Sequence, residues 1–557
     1  VARYSDAAAA MTLTSLETPI LSSFQNALDA EVLYRATLHT ALVGDLPREI
    51  TMRLRYEGGR WGVSWDDGLI LPELKGGNAL FMDYKIPSRA NIYDRNGLAF
   101  AAQTDAVAIG VIPGQITDEP TLLAELSNLL GRHPETIRAQ YQFTQPDWYV
   151  PVGEASADQI GARYGVLSSL GGLSLTTYRT RYYLNGPLGA PHAVGYIASI
   201  PAEKLAYYQS QGYRGDESVG LIGLEAWGEK YLAGKRGGTL YAITPGGQIA
   251  ATLAQSDSAP AQAIYSTLDR EFQKQVVQAM GDLPGAAVAL DLNTGEVLAF
   301  GSSPSFDPNL FDPTNLNSST LAAVLSNPAR PLINRVTQGL YAPGSTFKVV
   351  TVAAGLISGL YSRDTTYNCG GTWDGLGSGF IKYDWTVSKG LPPSGMITLP
   401  QALTVSCNPY NYQIGLDVFN IDPDYLPNIA KEFGLGKPTG IVGLLEGSNE
   451  EVGGLVPDAR WKEENIKEKW SAGDSVNMAV GQGYLQVTPL QMAALYAAIG
   501  NGGTLYRPQL VLRIAAPGEP TVYEFKPEVI GSLPLTREQL DVIRVGLHGV
   551  VADRNGT

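Results

Sequence analysis

Apolar and polar side chains change period several times along the chain, and each change predicts a different element. Residues 6–28 read as mostly helical. Further on the period drops to two, with Ile50, Met52, Leu54 and Tyr56 alternating with Thr51, Arg53 and Arg55, the pattern of a half-buried strand. Gly58-Gly59 then separates Tyr56 from Trp61-Gly-Val-Ser-Trp65, which predicts a hairpin. Residues 1–83 are therefore expected to form a small α+β domain in which a curved antiparallel sheet follows a helix. Asp94-Arg-Asn-Gly97 is a turn between apolar strands in a second, mixed region, residues 84–258, whose end is marked by the small-residue linker Gln255–Gln262. The third region, 259–557, contains two apolar runs between Ala286 and Phe300 that flank Asn293-Thr-Gly295, a second hairpin signal. Helical and loop patterns alternate from there, without internal repeat or low-complexity tract.

This multidomain α+β reading suits 557 residues, enough for three to four ordinary domains. An apolar fraction of 44% supports real cores, and a charged fraction of 17%, below the usual ~25%, argues against charge-driven disorder. With 63 Gly and 35 Pro spread along the chain, many turns are expected. The net charge of −14 removes nucleic acid as a main partner, because that affinity rests on Lys and Arg neutralising phosphates. Cys369 and Cys407 form no C-x-x-C pair, and the four histidines (His39, His133, His192, His548) include no H-x-x-x-H pair. No metal centre and no cofactor are expected. No stretch reaches 18 apolar residues, so neither a membrane span nor a signal peptide is read; the start at Val1 suggests a processed chain that has lost an N-terminal anchor or export signal.

Candidate chemistry begins at Tyr341-Ala-Pro-Gly-Ser345-Thr-Phe-Lys348, which precedes the apolar run Val349–Leu356. Ser345 falls at the start of a buried helix, after a Pro-Gly turn that could not continue one. Ser345 and Lys348, spaced i and i+3, share one helix face, and the helix N-terminus favours negative charge where an oxyanion would form. A serine hydroxyl is a poor nucleophile unaided, whereas a desolvated lysine beside it can take its proton. Taken alone, S-x-x-K reads as an N-cap and a solvated lysine. Here it is the single such spacing in the chain, and the lysine precedes an apolar helix. Ser406-Cys407-Asn408, at the end of the helical run Leu399–Val405, brings a hydroxyl and an amide that would complete a proton path and contact a substrate carbonyl.

Ser345-x-x-Lys348 with Ser406-x-Asn408 resembles the first two motifs of the penicillin-binding protein transpeptidases and serine β-lactamases. Arg95-Asn-Gly97, Gly223-Leu-Glu225, Asp291–Ala299, Pro304–Asn309 and Gly481–Gln491 are similar to segments of class B penicillin-binding proteins, so the resemblance covers nearly the whole chain. Trp61-Gly-Val-Ser-Trp65-Asp with Ile70-Leu-Pro72 is similar to the NTF2-like N-terminal domain of low-affinity, methicillin-resistance-type members. The resemblance implies an NTF2-like domain over 1–83, a dimerisation or pedestal domain over 84–258, and over 259–557 a serine β-lactamase/transpeptidase-like α/β domain. It implies a cell-surface peptidoglycan D,D-transpeptidase whose partners are stem peptides, β-lactams and a glycosyltransferase or cell-wall synthesis complex at the membrane. Ser345 would be the nucleophile, Lys348 the base, Ser406 the proton relay and Asn408 a substrate-amide contact.

The family's third motif, Lys-Thr/Ser-Gly, does not occur; Lys437-Pro-Thr-Gly440 has one residue too many and Lys235-Arg-Gly237 lies in the second region. Because segments similar to Arg544–Val551 and Asn555-Gly-Thr557 precede that motif in the family, the expectation is a transpeptidase domain lacking its C-terminal strands. Cys407 is read as a small apolar filler, with a bridge to Cys369 as the lesser alternative. The competing functions are a D,D-carboxypeptidase or β-lactamase, which hand the acyl group to water, and an inactive β-lactam-sensing or scaffolding module.

Overall fold

The computed structural model describes residues 2–130, 132–313, 321–447, 449–516 and 518–557. Helix α1 (Ala2–Ala10) is followed by strands β1 (Leu13–Glu17), β2 (Ile20–Gln25), β3 (Asp29–Thr40), β4 (Gly44–Glu57) and β5 (Arg60–Val63). The expected helix over 6–28 therefore stops at Ala10. Thr12 turns the chain at φ +54°, and Pro19, which would break a helix, falls between β1 and β2, where its missing N–H costs no ladder bond. Both strands pair antiparallel with successive parts of β3, so sheet pairing overrides the local helical reading. The β4–β5 hairpin forms where expected: Glu57 opposes Arg60 across Gly58 and Gly59, both at positive φ, as a two-residue turn of matching twist requires. Ala7 and Met11 from the α1 side pack on Ala36, Leu38, Leu46 and Ile50 of the sheet.

Strand β6 (Ala79–Lys85) pairs antiparallel with Gly237–Ile243, setting Met82 opposite Leu240, so the expected boundary at residue 83 lies inside a strand whose partner comes from the second region. In that second region Ala99–Val111 pairs along its length with Leu173–Tyr183 and over its second half with Val150–Ser156. The Asp94–Gly97 turn is held by the buried Asp94 carboxylate, whose Oδ1 accepts the N–H groups of Asn96 (2.8 Å) and Leu98 (2.7 Å). Glu225, fully buried, is paired by Arg89 (2.6 Å) and Arg181, which gives the Gly223-Leu-Glu225 segment a structural role. The expected linker 255–262 starts as the last two residues of strand Ile249–Ser256 and leads into Ala263–Ser266. That short strand pairs with Ile92–Tyr93 on one side and Val511–Ala515 on the other, so one sheet joins the second and third regions.

The third region opens with the expected antiparallel hairpin, Gly285–Leu290 against Val297–Ser303, turned at Gly295 (φ +82°). Its central element is α2 (Lys348–Ile357), packed by α3 (Leu399–Thr404), α4 (Asn408–Ile421), Tyr425–Glu432 and α5 (Arg537–Ala552). Val349, Val350, Val352, Ala353, Ala354 and Leu356 are all buried in this core. Each buried Val or Leu contributes about 1.5–3 kcal/mol, so the helix bearing Lys348 is fixed on all sides. No helix among the described residues is long and apolar enough to cross a membrane.

Candidate functional site

Gly344, at φ +57°, opens a 3-10 turn (Gly344–Phe347) that runs directly into α2. Ser345 and Thr346 stay exposed while Phe347 and Lys348 are buried, so the four residues pass from solvent into the core. The turn is held from behind by the segment 479–487. Gly344 N–H donates to Gly481 O (2.9 Å), Tyr341 and Val487 exchange backbone bonds (3.0 and 2.9 Å), and Thr351 Oγ1 donates to Ala479 O (2.8 Å). A Cβ on Gly481, itself at φ +70°, would sit 2.1 Å from Gly344 O, so this position must be glycine for the two backbones to meet. The sequence string at 481–491 carried resemblance without revealing this support.

Lys348 is 1% exposed, and its Nζ donates to Ser406 O (2.6 Å), Ser406 Oγ (3.0 Å) and Asn408 Oδ1 (2.6 Å). Three ammonium protons meet three acceptors, so Lys348, Ser406 and Asn408 converge on one point while Ser345 lies one turn earlier on the same helix entry. Burial pushes the lysine down to about 7, against the opposing pull of the Asp384 carboxylate. Near neutrality such a group exists in comparable amounts as ammonium and free amine, which suits it to take a proton and return it.

The turn between α3 and α4 explains how Ser406 reaches the lysine. Pro409 sits in the first turn of α4, Cys407 caps the helix by accepting Tyr410 N–H (3.3 Å), and Ser406 is left at φ +52°, a left-handed conformation that costs a non-glycine residue about 1–3 kcal/mol. Cys407 is more than a filler, because it is fully buried and bonded to Cys369, at the end of strand Thr366–Cys369, as a disulfide with Cα atoms 6.2 Å apart. The filler reading is corrected in favour of the bridge. The contact joins residues 38 apart in sequence, a separation from which Cβ approach could not be read.

Asp384, 3% exposed and absent from the sequence reading, accepts Asn408 N–H at Oδ1 (2.9 Å) and Thr386 Oγ1–H at Oδ2 (2.8 Å). The one available signal was Asp-x-Thr as an N-cap of the short helix Trp385–Ser388. Cys369, Asp384 and Cys407 are the one His/Cys/Asp/Glu group among the described residues whose ligand atoms lie within 4.8 Å of one another. With the sulfurs bonded to each other, a single carboxylate remains, and that does not make a metal centre.

The two Lys-containing decoys are engaged elsewhere. Thr439 donates its N–H (2.7 Å) and Oγ1–H (2.6 Å) to Glu451, while Arg236 lies on the Tyr213 ring at 3.2 Å. His192 is a core residue, bonded to Pro331 O at 2.7 Å and pushed down to about 4 by burial.

The family described as "Penicillin binding protein transpeptidase domain" matches residues 285–557, and "Penicillin-binding Protein dimerisation domain" matches 84–266. The peptidoglycan D,D-transpeptidase MrdA of Salmonella typhimurium (strain SL1344) is 31% identical over 436 residues, covering 76% of this chain and 67% of that protein. MrdA of Escherichia coli (strain K12) is 30% identical over 485 residues, covering 85% and 73%. A solved structure described as "Structural coordination of polymerization and crosslinking by a peptidoglycan synthase complex" superposes with a TM-score of 0.60 at 29% identity, covering 87% of this chain and 81% of that one.

Proposed function

Because this chain belongs to the class B penicillin-binding proteins, the peptidoglycan D,D-transpeptidases, we propose that it cross-links stem peptides through an acyl-enzyme on Ser345. Ser345 Oγ attacks the carbonyl of the D-Ala-D-Ala bond, its proton passes to Lys348, and D-alanine leaves with a proton returned through Ser406. An amine of a neighbouring stem peptide then attacks the ester and releases Ser345. Asn408 contacts the substrate amide, and the Ser345 N–H, at the entry to a helix, donates to the oxyanion. The observation that carries this reading is the convergence of Ser406 and Asn408 on a buried Lys348 held near a value of about 7.

Residues 1–83 are assigned to an NTF2-like module of the methicillin-resistance type, supported by the Trp61–Trp65 string and by a helix packed on an antiparallel sheet. Residues 84–258 form the dimerisation or pedestal unit and 259–557 the transpeptidase unit. Residues 1–557 do not include a Lys-Thr/Ser-Gly, so the second oxyanion donor is left unassigned. The site of action is the extracytoplasmic cell surface, and the partner is a glycan-polymerising synthase, in line with the synthase complex of the structural relative. Turnover of a D-Ala-D-Ala donor with and without an amine acceptor tests the function. Cross-linked product that depends on the acceptor is expected. Hydrolysis alone would indicate a carboxypeptidase, and no turnover despite β-lactam acylation would indicate a sensor.

A further inference from the structure

Against the backbone of the Ser406–Asn408 turn stands a buried carboxylate that the proposed mechanism leaves without a task. Asp384 lies just past the short strand Lys382–Tyr383, its own N–H donating to Gly371 O (3.0 Å). One carboxylate oxygen is spent on Thr386 and the other on the backbone N–H of Asn408. An ionised carboxylate at 3% exposure is costly to bury and persists where hydrogen bonds and an opposite charge offset the loss of water. Among the described residues the Asp384 carboxylate is the charge that draws Lys348 toward its ammonium form, against the effect of burial. Its sequence neighbour Lys382 turns its Nζ onto Asn477 Oδ1 (2.7 Å), and the nearby Tyr412 phenol is kept neutral by burial and then by Asp384.

We propose that Asp384 is a positioning residue for acyl transfer, gripping the first turn of α4 by the Asn408 backbone so that Asn408 and Ser406 meet Lys348, and placing a negative charge behind the lysine. The inference rests on the reading of Lys348 as the base. The two tasks are separable in chemistry. An asparagine at 384 keeps an oxygen for the Asn408 N–H but removes the charge, whereas a glutamate keeps the charge and displaces the oxygen by one methylene. Because the carboxylate favours the ammonium form, removing its charge lets Lys348 release its proton at lower pH.

The test is the pH profile of acylation by a fluorescent penicillin in the wild type, Asp384→Asn and Asp384→Glu. The acid limb of Asp384→Asn should move down by about one pH unit, the scale of one nearby opposite charge. In Asp384→Glu the limb should stay at the wild-type pH while the plateau falls. If the asparagine variant does not fold, Asp384→Ser, which also removes the charge but keeps a hydroxyl oxygen, takes its place with the same downward movement of the limb expected. A residue that merely supports the fold would change plateaus without moving the limb. An unmoved limb in Asp384→Asn, or a limb displaced downward in Asp384→Glu, overturns the inference. A wild type that is not acylated at Ser345 would instead overturn the reading of the site itself.

Discussion

Replacing Cys369 with alanine cuts the disulfide but leaves the Cys407 sulfur where it caps α4 through the Tyr410 N–H. The two cysteines lie 38 residues apart, and closing a loop of about that length removes roughly 13 cal/mol/K of entropy from the unfolded chain, about 4 kcal/mol at 25 °C. Truncating a fully buried side chain adds on the order of 1 kcal/mol. The transpeptidase region of Cys369→Ala should therefore unfold at markedly lower urea concentration than the oxidised wild type. The fluorescence of Trp373, 4% exposed and on the strand that follows Cys369, would report the transition. Ser406, strained at φ +52° next to the bond, should relax when it is cut, so acylation should slow as well. Thiol titration of denatured wild type without reductant should give no free thiol. Two titrating thiols, or a stability loss below about 1 kcal/mol, would refute the reasoning.

Three further outcomes are expected. With Lys348 near 7 in the folded protein and the free amine as the acting form, about a tenth is free at pH 6 and about nine tenths at pH 8, so acylation should rise roughly tenfold between them and then level off; a flat profile would count against the lysine as base. Lys348→Ala should slow acylation by roughly 10²- to 10⁴-fold with little change in binding before acylation, as rapid-mixing kinetics would show. Gly481→Ala forces a methyl against Gly344 O and should depress acylation although residue 481 has no side chain to take part in the proposed chemistry; a parent-like rate would show that the Ser345 turn does not depend on that contact.

Local signals were legible where one turn or one period decides the outcome. Gly58-Gly59 and Asn293-Thr-Gly295 specify their hairpins through positive φ, and the i, i+3 spacing of Ser345 and Lys348 puts both at the mouth of a helix that its own apolar run buries. The helix expected over 6–28 failed because β3 offers a strand partner that no local pattern in that segment reveals. Ser406 and Asn408 were found through their motif, but their meeting with Lys348 spans 58 and 60 residues. Asp384 and the backbone contact of Gly481 escaped for the same reason, and the Cys369–Cys407 bond stands in the sequence only as the lesser alternative. Each acts through one contact with a distant part of the chain, and an aspartate in a loop, a glycine in a turn or a lone cysteine carries no periodicity of its own.

The most direct measurement is peptide mapping of the protein after reaction with labelled penicillin, whose strained carbonyl stands in for that of the D-Ala-D-Ala bond. Label is predicted on Ser345 alone, and none on the Ser345→Ala variant. Label on another residue, or undiminished labelling of Ser345→Ala, would contradict the assignment of Ser345 as the nucleophile and with it the mechanism built on Lys348, Ser406 and Asn408.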